Sequence, residues 1–218
     1  MTKTLEARAL LLDMDGTLVD STAVVERIWL EWSAEHGLDP ETVLALIHGR
    51  QAYSSMAVLL PERPAELNHA EGAAMLVRET EDTDGVVEIP GAGAFLASLA
   101  KVPHALVTSA SLPLAQARMS AAGLAVPAVA ITAEDVPASK PDPSGFLMAA
   151  EALGVDPADC VVFEDSYAGI TAGRAAGMRV VGVGADAVAH DPTHAVPDLR
   201  GVTVTQEGDG VIRIAFAG

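Results

Sequence analysis

Short apolar runs alternate with amphipathic stretches along most of this chain. Continuous aliphatic runs predict strands that are buried on both faces of a parallel sheet. Between these runs lie stretches rich in Ala and Leu, whose apolar positions recur at helical spacing. Strands that alternate with helices predict an α/β fold built on a doubly wound parallel sheet. The predicted strands are 7–12, 104–107, 128–131, 160–163 and 179–183, and the predicted helices are 91–100, 114–122, 143–153 and 167–176.

The gap between the first two predicted strands is far longer than the roughly twelve residues of a minimal crossover. It carries helical patterning, so we predict a helical domain at 20–86, inserted into an α/β core formed by 1–19 and 87–218. The connecting segments on either side of the insertion are predicted to act as a hinge. The helices predicted within the insertion are 22–36, 41–47, 51–60 and 64–80.

The C-terminal region carries two β-prone runs, 202–205 and 211–216. They flank Glu207-Gly208-Asp209-Gly210, a turn-forming sequence, and so predict a hairpin. We expect this hairpin to extend the edge of the parallel sheet.

Charge and cysteine content narrow the classes of partner. The 218 residues include 13 Lys and Arg against 30 Asp and Glu, a net charge of −17. A field of that sign repels phosphate backbones and anionic lipid, so we expect neither a nucleic-acid nor a membrane partner. The single Cys160 permits no intrachain disulfide, and no signal-peptide pattern is seen, which together predict a cytoplasmic protein.

Two carboxylates follow the first predicted strand directly, in Asp13-Met14-Asp15-Gly16-Thr17. The carboxyl ends of strands in open α/β sheets are where ligands bind. Neighbouring carboxylates in such a crevice repel each other unless a divalent cation lies with them. Oxygen ligands of this kind predict a Mg²⁺ site.

Three further strand ends carry polar groups that suit the same site. Thr108-Ser109 follows the second strand, Lys140 follows the third, and Glu164-Asp165 follows the fourth. Taken singly, such residues are usually a helix cap, a surface charge and a solvated turn. Because the ends of parallel strands meet at one edge of the sheet, all of them together predict a single site that handles a phosphoryl group.

With these four motifs, the sequence resembles the haloacid-dehalogenase superfamily of phosphohydrolases over about residues 7–184. The resemblance implies a Rossmann-like core with a helical cap inserted after the first motif. The segments His48-Gly49-Arg50 and 89–92 look most like the branch of glycerol-3-phosphate and 2-deoxyglucose-6-phosphate phosphatases. This implies a Mg²⁺-dependent phosphomonoesterase acting on a small phosphorylated metabolite, a sugar or polyol phosphate. We expect a monomer or a weak dimer.

The resemblance also implies a role for each motif residue. Asp13 would attack phosphorus and form an aspartyl phosphate, while Asp15 would protonate the leaving alkoxide and later deprotonate water. Thr108 and Lys140 would neutralise charge on the phosphoryl oxygens, and the amide near Ser109 would bind them. The implied metal ligands are Asp13, Asp15 through its backbone carbonyl, Asp165, and Glu164 either directly or through water.

Choice of substrate is expected to depend on the cap, because the motif residues contact only the phosphoryl group. His48, Arg50 and Gln51 flank a break between two predicted helices, and we expect them to bind the rest of the substrate.

Other readings of the same motifs differ in chemistry. A phospho-accepting receiver module also combines acidic residues, a hydroxyl and a Lys, but the helical insertion and Asp15 argue against it. A β-phosphoglucomutase-like mutase shares all four motifs and uses a cap His where this chain has Val25, which favours hydrolysis. Dehalogenases lack the second Asp, and phosphonatases carry a cap Lys, whereas 20–86 contains none.

Overall fold

The computed structural model describes residues 3–47, 51–208 and 210–217. It divides into two compact units, Met1–Asp20 with Val87–Gly218, and Ser21–Val86. The strands are β1 (Lys3–Ala7), β2 (Ala9–Leu12), β3 (Val19–Asp20), β4 (Val87–Glu88), β5 (His104–Val107), β6 (Ala130–Ile131), β7 (Cys160–Glu164), β8 (Arg179–Val183), β9 (His194–Val196), β10 (Val202–Gln206) and β11 (Ile212–Phe216). The helices are α1 (Thr22–Glu35), α2 (Pro40–Ile47), α3 (Ala52–Leu59), α4 (Ala65–Glu81), α5 (Ala92–Ser98), α6 (Leu112–Ala121), α7 (Ser144–Leu153) and α8 (Tyr167–Ala175). None of these described helices is both long enough and apolar enough to cross a bilayer.

The larger unit is built on a six-stranded sheet in the order β6-β5-β2-β7-β8-β9. Its neighbouring strands are all parallel. From β2 the chain adds β5 and β6 on one side, then crosses to add β7, β8 and β9 on the other. All four residues of β2 are fully buried, as expected for the central strand of a sheet covered on both faces. The predicted doubly wound α/β fold is therefore confirmed.

Helices cover both faces of this sheet because successive strand residues point to opposite sides. On one face, Val162 of β7 shares a buried core with Phe146 of α7 and Ile170 of α8. On the other face, the ring of Phe163 lies 5.0 Å from that of Phe95 in α5. The aliphatic residues of the strands thus form two cores, and the strand ends are left free to carry polar groups.

The first predicted strand, 7–12, corresponds to β2, and a strand that was not predicted, β1, precedes it with Arg8 between the two. β1 lies outside the parallel sheet and pairs antiparallel with β11, which also pairs with β10. The predicted hairpin therefore exists, but the expectation that it extends the edge of the parallel sheet is wrong, because β9 occupies the edge beside β8. The residues of β1 are largely exposed, whereas those of β2 are all buried, so the apolar pattern changes where the strands separate.

The second unit consists of α1 to α4, which lie within two residues of the predicted bounds. Trp29 and Trp32 of α1 are buried and meet edge to face, with ring centroids 5.3 Å apart. The indole of Trp32 donates a 2.8 Å hydrogen bond to Glu71 of α4. Glu71 also forms a bidentate ion pair with Arg63. Apolar packing and ion pairs therefore hold these helices together.

The segments that connect the insertion to the core are paired with each other. β3 and β4 form a two-stranded antiparallel ladder, with Val19 opposite Glu88 and Asp20 opposite Val87. This ladder was not predicted, since runs of two residues are too short to give a periodic signal.

Candidate active site

Strand register brings three of the predicted motifs to one edge of the six-stranded sheet. Leu12 at the end of β2 lies opposite Phe163 of β7 on one side and Leu106 of β5 on the other. The residues that follow in each strand therefore lie side by side, and the amide of Asp13 donates a 3.0 Å hydrogen bond to the Phe163 carbonyl. Thr108 comes directly after β5. This edge is where the order of strands reverses, the usual ligand position in such sheets.

Lys140 lies at the centre of the site. Its Nζ donates to Asp13 Oδ1 at 2.5 Å, to Glu164 Oε1 at 3.0 Å and to the Val107 carbonyl at 3.0 Å. The three charged side chains are nearly inaccessible, at 10% exposed for Lys140, 9% for Asp13 and 1% for Glu164. Burial opposes the ammonium charge, but the two carboxylates outweigh it and raise the pKa of Lys140. The lysine is thus a fixed cation beside the predicted nucleophile.

Asp13, Glu164 and Asp165 form a cluster that could hold a metal ion, with one carboxylate oxygen from each within 4.8 Å of the others. Burial, reinforced by Glu164 and Asp165, raises the pKa of Asp13 well above its usual value despite the opposing effect of Lys140. Burial and the charge of Glu164 likewise raise the pKa of Asp165 to about 7. Ionised together, these carboxylates repel one another, and a cation bound between them would relieve that repulsion. An oxygen-only donor set suits a hard divalent cation.

Two glycines let the backbone approach these carboxylates closely. A Cβ on Gly16, whose φ is +83°, would lie 2.1 Å from Asp165 Oδ2. A Cβ on Gly169 would lie 1.8 Å from Glu164 Oε1. Thr17 donates a 3.3 Å hydrogen bond to Asp165 Oδ1. The carboxylates are thus held by neighbours that leave no space for a larger side chain.

Glu164 is satisfied by protein donors on both of its oxygens. Oε1 accepts from Lys140, and Oε2 accepts from the amide of Ser166 at 2.6 Å and from its hydroxyl at 3.0 Å. The Ser166 hydroxyl also caps α8 by accepting from the Gly169 amide at 3.1 Å. A serine just before a helix is a recognisable cap signal, but its second role as a donor to Glu164 was not predicted.

The carboxylate of Asp15 pairs with Arg118, whereas that of Asp13 pairs with Lys140. Asp15 Oδ2 accepts a 2.9 Å hydrogen bond from Nη1 of Arg118 in α6, whose side chain is only 5% exposed. The side chain of Asp15 is not part of the carboxylate cluster. Arg118 was not predicted as a site residue, although a signal existed: it follows Leu114 by four residues and so lies on the buried face of α6.

Thr108 and Ser109 lie beside the lysine. Thr108 is buried, Ser109 is exposed, and both line a small pocket together with Lys140 and Phe146. The Thr108 hydroxyl accepts a 3.0 Å hydrogen bond from the Ala110 amide, which fixes the turn after β5.

The residues predicted to select the substrate belong to the helical unit. Gln51 immediately precedes α3. His48 and Arg50 lie outside the described residues, so the prediction for them stays a prediction.

Comparison with known proteins gives the family of this chain and several relatives. Residues 7–177 match the family model described as haloacid dehalogenase-like hydrolase. Over 215 residues the chain is 41% identical to hexitol phosphatase A of Escherichia coli, covering 96% of this chain and all of that protein. Over 196 residues it is 33% identical to 2-deoxyglucose-6-phosphate phosphatase 2 of Saccharomyces cerevisiae, covering 79% of this chain and 78% of the relative.

Solved structures share the fold. The chain superposes on β-phosphoglucomutase from Clostridium difficile with a TM-score of 0.76 and 21% identity, covering 88% of this chain and 91% of that one. At this identity the likeness concerns the fold alone.

Proposed function

This chain belongs to the haloacid dehalogenase-like hydrolase family, and we propose that it is a Mg²⁺-dependent phosphatase of small sugar or polyol phosphates. One observation carries the proposal: a buried lysine ion-paired to Asp13 and Glu164, with Asp165 within metal-binding distance of both carboxylates. A fixed cation beside a nucleophile and a cluster of anionic oxygen ligands is the arrangement that phosphoryl transfer requires.

Asp13 is the nucleophile in this proposal. Lys140 holds its Oδ1, which leaves Oδ2 to attack phosphorus. The P–O bond to the substrate breaks, and Asp15 gives its proton to the departing alkoxide. In the second half-reaction, Asp15 takes a proton from water, the water oxygen attacks phosphorus, and the bond to Asp13 breaks to release inorganic phosphate.

The residues present fit Mg²⁺. Asp13, Asp165 and the backbone carbonyl of Asp15 would hold it directly, because burial and mutual repulsion raise the pKa of both carboxyl groups although Lys140 and Thr17 donate to them. Glu164 already accepts from Lys140 and Ser166, which favours a contact with the ion through water. When bound, Mg²⁺ neutralises charge that develops on the phosphoryl oxygens.

Lys140 and the groups after β5 would hold the phosphoryl oxygens. Thr108, Ser109 and Lys140 line one pocket. Losing one such donor typically costs ~3 kcal/mol of barrier, roughly a hundredfold in rate.

The substrate class follows from the relatives rather than from the core. Because hexitol phosphatase A is 41% identical over nearly the whole chain, we take hexitol phosphates as the first candidates. His48, Arg50 and Gln51 of the helical unit are proposed to contact the polyol, since the core residues contact only the phosphoryl group.

The test is phosphate release by purified protein with Mg²⁺ from a panel of hexitol, aldose, glycerol and nucleoside monophosphates, with Asp13→Asn as the control. We expect the highest kcat/KM on a hexitol or sugar phosphate, and loss of activity after EDTA. Full activity in metal-stripped protein would contradict the metal site. Conversion of a hexose phosphate to its isomer without phosphate release would instead identify a mutase.

A further inference from the structure

The buried guanidinium of Arg118 is a charged group that the proposed mechanism does not use. It lies on α6, which is capped by Ser111, whose hydroxyl accepts a hydrogen bond from the Leu114 amide. Burial of a guanidinium is costly unless an anion lies against it. Its carboxylate partner is Asp15, at 2.9 Å. The charge on α6 therefore faces the residue that is proposed to transfer protons.

We infer that Arg118 is a positioning residue for Asp15: its guanidinium fixes the orientation in which that carboxylate exchanges protons with the ester oxygen. The inference rests on the proposed function. Arg118 does not itself contact the reacting atoms in this scheme, and its effect on the reaction passes through Asp15.

Three properties of the pair support this role. Arginine keeps its proton under all ordinary conditions, so it is a permanent donor, and its planar geometry restricts how a carboxylate can rotate against it. It is carried by a helix, whereas Asp15 lies in the loop after β2. The Asp15 side chain is 31% exposed and the Arg118 side chain 5%, so the rigid member of the pair is the arginine.

A positioning role predicts a dependence on the leaving group. An alkoxide is a poor leaving group and needs a well-placed proton as the P–O bond breaks. A nitrophenolate is stable as an anion and needs none. Loss of Arg118 therefore slows phosphorylation of Asp13 by an alkyl ester far more than by an aryl ester, whereas a purely structural defect slows both equally.

Four variants and one control carry the test. Arg118→Met removes the charge at similar volume, Arg118→Lys keeps it, and Asp15→Asn is combined with Arg118→Met in a double variant. The matched control is Arg174→Met on α8, which breaks an exposed 2.9 Å ion pair with Asp191.

The measurement is the single-turnover rate of aspartyl-phosphate formation with Mg²⁺, using sorbitol 6-phosphate and p-nitrophenyl phosphate. For Arg118→Met we expect a loss of roughly tenfold or more on the sorbitol ester and less than about threefold on the aryl ester. Arg118→Lys should lie between this variant and the wild type. In the Asp15→Asn background, Arg118→Met should cause no further loss, because the two residues act as one unit. Arg174→Met should leave both rates unchanged.

Equal losses on the two esters, or a further full loss in the double variant, would overturn the inference. If Arg118→Met does not fold, the test uses Arg118→Lys alone. The measured quantity is again the ratio of the rate on the sorbitol ester to the rate on the aryl ester, and a ratio equal to that of the wild type would contradict positioning. A wild-type protein that hydrolyses no phosphomonoester overturns the proposed function and this inference together. Normal turnover with an unchanged ratio overturns only the inference.

Discussion

Each of the two units contains a network in which carboxylate and cation pair, yet the pKa shifts have opposite signs. In the α/β unit, burial outweighs pairing and raises the pKa of Asp13, even though Lys140 lies 2.5 Å away. In the helical unit, the hydrogen bonds of Arg63 outweigh burial and lower the pKa of Glu71 to about 2. The Glu71 side chain remains 37% exposed, so its charge loses little solvation.

The difference separates a network that stabilises its unit from one that needs a further partner. Glu71 accepts from Arg63 and Trp32 and has a lowered pKa, so its ionised form is favoured as it stands. Asp13 and Asp165 have raised pKa values, so their ionised forms are disfavoured until a cation joins them. Buried carboxyl groups with raised pKa values and charged neighbours are typical of functional sites.

The largest expected effect comes from Asp13→Asn. An amide cannot form the aspartyl phosphate, so kcat should fall roughly a thousandfold or more. Removing one charge also relieves repulsion, so the metal-free variant should melt at a higher temperature than the metal-free wild type, by about 2–4 °C for each kcal/mol relieved. Thermal melts in EDTA measure this, and a lower melting temperature would contradict the account of the cluster.

Removing the cation from each network measures how much more a buried carboxylate loses than a partly exposed one. Lys140→Met leaves buried Asp13 and Glu164 without their shared partner and should lower the free energy of unfolding by about 3–5 kcal/mol in metal-free protein. Arg63→Met should cost about 1 kcal/mol or less, because its partner Glu71 is partly solvated. Urea titrations of both variants test this, and equal losses would show that burial does not separate the two networks.

A methyl group added to a glycine in each unit gives a smaller contrast. Gly169→Ala places Cβ against Glu164 and should destabilise by about 1–3 kcal/mol while reducing kcat. In Gly72→Ala, the new Cβ would lie 3.2 Å from the backbone nitrogen of Tyr53, a slightly tight contact. Alanine is favoured over glycine in a helix by about 1 kcal/mol, which offsets the strain of that contact. We expect that variant to have unchanged stability and turnover. A large loss from Gly72→Ala would mean that α3 and α4 cannot adjust.

The last prediction concerns how the contribution of Glu71 to stability changes as the pH is lowered. The pKa of Glu71 is about 2 in the folded protein against an ordinary 4.5, so its ionised form stabilises the fold above pH 4.5, and this contribution is lost as pH falls towards 2. The stability difference between wild type and Glu71→Gln should therefore be constant near pH 7 and shrink below pH 4.5. Because the side chain is partly exposed, the full difference should stay below about 1 kcal/mol. A stability difference between wild type and Glu71→Gln that grows as the pH falls would contradict the lowered pKa of Glu71.

The family and the fold that the sequence predicted are confirmed, and the names of the relatives agree with a sugar or polyol phosphatase. Buried strands and amphipathic helices are local signals, so β7 and α1 were found where they occur. The proximity of Asp13 and Lys140 could be predicted because the carboxyl ends of parallel strands lie at one edge of the sheet. Their roles as nucleophile and cation stay predictions.

Features set by distant pairing could not be predicted. Nothing near Arg118 in the sequence indicates that its partner is Asp15, 103 residues away. The existence of β1 likewise depends on β11, because its largely exposed residues give no buried apolar run and its pairing partner lies at the other end of the chain. Local patterns identify an element, whereas its neighbours depend on the whole topology.

The pairing of β1 with β11 also affects the order in which strands can pair during synthesis. During synthesis, β1 emerges first among the described strands, yet its partner emerges only after every strand of the six-stranded sheet. Contacts so distant in sequence form slowly, and an unpaired strand edge can meanwhile join other chains. The charged residues Lys3 and Glu6 in β1 oppose such association. The nascent chain can therefore complete its catalytic sheet before its first strand is paired.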